Sequence, residues 1–345
     1  MNTKVVAALS ALLLFSSSAV AQEACDPAKL AAMVDTYASN PFSARTWRVL
    51  NGLGDMDEIK RTRVMLEEAT GVKVLFDGAN LMDATETAAM VTRSVRDFGR
   101  LDGLGDVYLD YTGSGLYGET QVRRHAELLL GHVFGNPHSA NPSSIASTRI
   151  VERCRRRVLE FFGADPDEYA VVFTANASHA LKLVGESYPF APGDQLLLTF
   201  DNHNSVNGIR EFDRARGART HYIPMVPPEL RVDEAVLDRF LDGAGPGGHN
   251  LFAYPAQSNF SGVQHPLEWI ARAQARGWDV LLDAAAFVPT NRLDLGRWHP
   301  DFVALSFYKM FGYPTGVGAL IARKTALARL HRPWFAGGTI NIASV

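Results

Sequence analysis

The stretch Phe302-Val-Ala-Leu-Ser-Phe-Tyr-Lys309 is a nearly continuous apolar run that ends on a lysine. It has the length and composition of a strand buried on both faces. A second run, Asp279-Val-Leu-Leu-Asp283, ends on a carboxylate and is followed by Ala284-Ala285-Ala286. Short apolar runs that deliver a polar residue at their C-terminal ends are the signature of an α/β layer sheet, which gathers its ligands along that edge.

Outward from these two runs the alternation persists. Strands are predicted at 107–111, 170–174, 195–200, 220–224, 250–253, 279–283, 302–307 and 318–322. Helices are predicted between them at about 119–133, 144–162, 178–187, 205–216, 232–241 and 266–276. The expected fold is a mostly parallel sheet of about seven strands with helices on both faces.

Two more strand ends add chemistry. Ala175-Asn176-Ala177-Ser178 follows a strand and opens a helix, offering free N–H groups and a hydroxyl to an anion. Asp201-Asn202-His203-Asn204 sets an imidazole on the same edge. Asp283 at the end of a buried strand needs a cationic partner. Lys309, following an apolar run, is expected to be desolvated against the core, which would favour a nucleophilic amine. An amine, a buried acid, an imidazole and an anion cup are the parts that pyridoxal 5′-phosphate (PLP) requires.

Composition narrows the partners. The chain has 345 residues, is 47% hydrophobic and 21% charged, and carries a net charge of −3. It has no cationic excess for a nucleic-acid backbone. Residues 1–21 combine Lys4, an apolar stretch from Val5 to Phe15 and the small-residue end Ala19-Val-Ala21. They are expected to be a secretory signal, giving an exported chain with no membrane span after cleavage; the alternative is a cytoplasmic protein. Residues 22–106 read as a helical extension, opened by the cap Asp26-Pro27 and carrying no chemistry.

Other candidate motifs point elsewhere. Gly113-Ser-Gly115-Leu-Tyr-Gly118 has dinucleotide-loop spacing, but no acid lies between Glu127 and Glu152 to hold a ribose, so it is read as a tight strand-to-helix turn. His125, His132 and His138 lack metal-ligand spacing, and no metal is assigned. Cys154, within Arg153-Cys-Arg-Arg-Arg157, is read as an inert thiol on a solvated basic face.

The run from Tyr108-Leu-Asp-Tyr111 to Gly337-Gly-Thr339 resembles the class V aminotransferase family of fold-type I PLP enzymes, and within it the molybdenum cofactor sulfurases and cysteine desulfurases. The segments that carry the resemblance include Phe134-Gly-Asn-Pro-His-Ser139, Tyr254-Pro-Ala-Gln-Ser-Asn-Phe-Ser-Gly262, Leu281-Leu-Asp-Ala-Ala285 and Ser306-Phe-Tyr-Lys-Met-Phe-Gly-Tyr-Pro-Thr-Gly316. The resemblance implies a PLP-binding large domain over 107–345 that acts on an amino acid.

It also implies roles by position. Lys309 corresponds to the lysine that takes the cofactor covalently, Asp283 to the partner of the pyridine nitrogen and His203 to the residue stacked on the ring. Asn259 would lie near the cofactor's phenolic oxygen. Ala177, Ser178 and Ser306 would hold the phosphate, joined across a homodimer interface by Thr339. Ala286 stands where desulfurases often carry Gln, and Asn176-Ala177 replaces a Gly-Ser/Thr pair. The family's small C-terminal domain, with its substrate arginine and nucleophilic cysteine, should follow Thr339, where six residues stand. Hence the alternative expectation, a truncated, catalytically inactive PLP-fold binding or structural module.

Overall fold

The computed structural model describes residues 96–332 except 105–107, 109, 138 and 246. The expected signal at 1–21, almost all of the extension at 22–106, His138 and the Gly337-Gly338-Thr339 segment lie outside the described residues. The chain divides into two compact units. In the first, described over parts of 96–111 and 116–125, the Arg100 guanidinium lies 4.2 Å over the Tyr117 ring, beside the short helix α1 (Arg100–Leu104).

The second unit comprises 112–115 and the chain from Ala126. After α2 (Glu119–Gly131), whose span crosses from one unit into the other, the elements run α3 (Pro142–Phe161), β1 (Tyr169–Thr174), α4 (Ala177–Ser187), β2 (Gln195–Thr199), α5 (Asn204–Asn207) and α6 (Arg210–Ala215). They continue with β3 (Arg219–Ile223), β4 (Met225–Val226), β5 (Arg231–Val232), α7 (Glu234–Leu241), β6 (Asn250–Pro255), α8 (Trp269–Gln274) and β7 (Trp278–Asp283). The last are α9 (Leu295–Trp298), β8 (Phe302–Ser306), α10 (Phe307–Phe311), β9 (Gly318–Arg323) and α11 (Lys324–Leu327).

Among the described residues seven strands form one sheet, in the order β1-β9-β8-β7-β6-β2-β3. Only β9 runs against its neighbours, so the C-terminal ends of β1, β8, β7, β6 and β2 share one edge. The alternation of side chains explains why these strands read as unbroken apolar runs. Leu197, Phe252, Val280, Leu282 and Val303 join Trp269 and Leu237 in one core layer. Leu196, Leu198, Leu251, Leu281 and Phe302 join Leu181 and Val184 of α4 in the other.

Three local expectations fail for identifiable reasons. The helix expected over 205–216 divides into α5 and α6 at Gly208, where a glycine weakens the helix. The strand expected to reach Phe307 ends at Ser306, and Phe307 opens α10. Of the strand expected at 107–111, Tyr108, Asp110 and Tyr111 are described and none is a strand residue; Tyr111 begins a turn that runs to Gly113. No described helix is long and apolar enough to cross a membrane.

Candidate active site

The strand ends assemble the anion cup first. Asn176 is fully extended and caps α4, its side-chain oxygen accepting from the His179 N–H at 2.9 Å. Its carbonyl accepts the Thr174 hydroxyl at 2.8 Å. The Ala177 N–H donates to the buried Ser306 Oγ at 2.8 Å, joining the start of α4 to the end of β8. Ser178, next in line, is exposed, and its hydroxyl pairs with that of Ser205 at 2.6 Å. The helix dipole and an accessible hydroxyl therefore meet at one point on the sheet edge.

His203 stands beside this cup. Its Nδ1 accepts from the Ser205 N–H at 3.1 Å, which places the proton of the neutral ring on Nε2. The ring is exposed. A chain of contacts Ser178–Ser205–His203 thus links the cup to an open aromatic face.

Asp283 ends β7 and is 7% exposed. Burial pushes its carboxyl above the ordinary carboxylate range, opposed by the Ala285 N–H at 3.0 Å and by the nearby charges of Lys309 and His203. Among the described residues no cationic side chain lies within ion-pair distance of it. This buried acid therefore lacks a close cationic partner among the described residues. Lys309 lies in α10, half-buried, one turn after Ser306.

The lysine turn is gripped by a segment whose part in the site the sequence reading missed. The Gly115 N–H donates to the Tyr308 carbonyl at 3.0 Å, and Ser114 Oγ reaches the same oxygen at 3.3 Å. A Cβ on Gly115 would stand 3.2 Å from both the Gly312 nitrogen and the Lys309 carbonyl oxygen. Gly115, the middle glycine of the apparent dinucleotide motif, thus serves close backbone approach to the lysine turn. The motif does not form the tight strand-to-helix turn expected of it, since no described residue of 107–111 is a strand residue and residues 114–118, without regular structure, separate Gly113 from α2.

Asn259 lies exposed on the turn after β6. That turn is held by Ser258, whose Oγ accepts from the N–H groups of Phe260 and Ser261 at 3.3 Å each and donates to the Asp201 carbonyl at 3.2 Å. Cys154 is an exposed free thiol on α3. Of the expected site residues, Ala177, Ser178, His203, Asp283, Ser306 and Lys309 follow or end β1, β2, β7 and β8 on one edge of the sheet, and Asn259 follows β6 on the same edge. Thr339 lies outside the described residues.

Known proteins carry the same arrangement of chain. The family description Aminotransferase class-V matches residues 107–345. The molybdenum cofactor sulfurase of Bos taurus is 42% identical over 263 residues, which cover 71% of this chain and 29% of that protein. That of Arabidopsis thaliana is 37% identical over 282 residues, covering 72% and 34%. Among solved structures, the apo cysteine desulfurase of Thermococcus onnurineus superposes with a TM-score of 0.63 at 27% identity, covering 71% of this chain and 60% of that one. The chain spans about a third of the length of the curated relatives it matches. A sheet with six strands in one direction, a lysine turn and a buried acid on its edge, and a family match over most of the chain all agree: the protein is a member of the class V aminotransferase family.

Proposed function

We propose that this chain binds PLP through Lys309 and acts on an amino acid, in the manner of the sulfurases and desulfurases it resembles. The observation that carries the reading is Asp283: a buried carboxyl with no ion-pair partner among the described residues, close enough to Lys309 and His203 to feel both charges. A pyridinium nitrogen is the kind of cation that such a site lacks. The exposed Ser178 at the dipole end of α4, with Ala177 tied to Ser306, suits a phosphate.

PLP supplies an electron sink for charge that develops on the substrate Cα. The protein's own residues do the rest. Ser178 would bind the phosphate at the start of α4, where the Ala177 N–H, spent on the buried Ser306 Oγ, ties the cup together instead of reaching the ligand as expected; His203 would hold the ring and Asn259 would orient the phenolic side. Asp283 would balance the positive charge of the ring nitrogen. Lys309 would hold the cofactor and, with its amine free, would move the substrate's Cα proton as a general base.

The sulfur-transfer subtype rests on the resemblance to sulfurases. It is tested by supplying cysteine to the PLP-loaded protein and measuring sulfide, alanine and bound persulfide. Formation of alanine supports the subtype; no product from cysteine, with turnover of another amino acid, refutes it. The reading extends to a homodimer in which Thr339 of each protomer reaches its partner's phosphate, and to export directed by residues 1–21. Sedimentation of the PLP-loaded protein tests the first. The N-terminal sequence of the protein recovered from culture tests the second, a mature chain starting at Gln22 being the expected result.

A further inference from the structure

The loops that carry His203 and Asn259 are joined below the surface by a pair of groups that the proposed chemistry does not use. The Asp201 carboxylate accepts from His265 Nε2 at 2.9 Å, with side chains 0% and 2% exposed. Asp201 lies two residues before His203, in the loop leaving β2. His265 closes the turn after β6, its N–H donating to the Ala256 carbonyl at 3.1 Å. The turn between is short and internally bonded: the Ser258 N–H donates to the Val263 carbonyl at 2.9 Å, and the Gly262 N–H to the Ser258 carbonyl at 3.1 Å.

The two loops are also tied through the backbone of Asp201, whose carbonyl accepts the Ser258 hydroxyl. One residue therefore grips the Asn259 turn at its start through its main chain and at its end through its carboxylate. The imidazole is held in turn: it stacks on Trp269 with centroids 5.1 Å apart and meets Tyr254 edge-on at 6.4 Å. Burial, the largest single effect, would raise the Asp201 carboxyl, but the hydrogen bond and charge of His265, together with smaller contributions from Thr199 and the backbone, bring it below the ordinary value.

We infer that Asp201 and His265 form a buried latch that fixes the loop of His203 against the turn of Asn259, so that both are positioning residues for the cofactor-binding face. The inference rests on the PLP reading for its ligand but not for its mechanics. A latch of this kind acts by preorganisation, lowering the ordering that binding must otherwise bring about.

The test measures two things on the full chain. One is hydrogen exchange of the cofactor-free protein over 200–206 and 256–264. The other is the dissociation constant for PLP. In Asp201→Ala both segments should exchange about tenfold faster and PLP should bind about tenfold more weakly, the scale of one lost charge-assisted bond. Asp201→Asn, which keeps an acceptor for His265, should restore both to within about threefold of wild type. Should Asp201→Ala fail to fold, the double variant Asp201→Asn with His265→Phe removes the bond while keeping the stacked ring and leaving no buried charge unpaired. It should then show both effects. Exchange within twofold of wild type in the variant that lacks the bond, or loosening of one segment alone, overturns the latch. A wild-type chain that takes up no PLP overturns the functional reading instead, and the exchange measurement still decides the latch.

Discussion

Gly318 of β9 passes so close to Asn176 that a Cβ added to the glycine would stand 2.6 Å from the Asn176 Cα and 2.6 Å from the Leu305 carbonyl oxygen. Gly318 also pairs with both Thr174 and Ser306, so it is the floor on which the cup and the lysine strand meet. Only a residue without a side chain fits there. Gly318→Ala is expected to cost about 3 kcal/mol of stability, because the obstructing atoms are backbone. Gly316→Ala, where the space is open but φ is +78°, should cost about 1 kcal/mol. Denaturant unfolding of the two variants checks the order.

Asp283→Asn should stabilise the cofactor-free protein while impairing the enzyme. The folded state holds the Asp283 carboxyl above its ordinary range, so it binds more protons than the unfolded state as pH rises through that range. Stability is therefore lost with rising pH, and the asparagine variant escapes that loss. Thermal melts should show the variant and wild type converging in acid and the variant melting higher at neutral pH. Turnover should fall by roughly a hundredfold or more, since no anion then faces the ring nitrogen. A variant that melts lower at neutral pH would contradict this account of the buried acid.

Gly115→Ala should disturb the lysine turn without reaching the cup. The added methyl meets backbone atoms of residues 309–312 at 3.2–3.3 Å, so the turn must shift by tenths of an ångström. The expected result is a loss of about 1–2 kcal/mol in stability and slower covalent uptake of PLP, with phosphate affinity little changed. Rates of borohydride trapping compared with equilibrium phosphate binding separate the two effects.

Ser178→Ala and Ser306→Ala should part company. Ser306 accepts a buried N–H, and losing it strands the Ala177 donor at about 1–2 kcal/mol of stability. Ser178 is exposed, so its loss should leave stability within about 0.5 kcal/mol while weakening PLP binding about tenfold. Parallel melts and binding titrations distinguish a structural serine from a ligand-facing one.

The sheet was legible because its strands are buried on both faces and so read as plain apolar runs; Leu281, Leu282 and Val303 announce their strands unaided. Asp283 was legible because it ends such a run, and Lys309 and His203 because each lies within four residues of the end of one. The grip of Gly115 on Tyr308 was not, since residues nearly two hundred positions apart meet only in the folded chain and the glycine spacing imitates a nucleotide loop. The pairing of Asp201 with His265 was hidden likewise: each looks like an ordinary loop residue until the ends of β2 and β6 are set side by side. The two-residue strands β4 and β5 carry too short a pattern to be seen at all.

The most direct test of the central claim is covalent capture of the cofactor. The purified chain is incubated with PLP, its visible spectrum recorded, the product reduced with borohydride and the modified peptide identified. The account predicts a visible absorption band, a stable adduct on Lys309, and loss of both in Lys309→Ala. A protein that stays colourless with PLP, or an adduct on another lysine that survives Lys309→Ala, would contradict it.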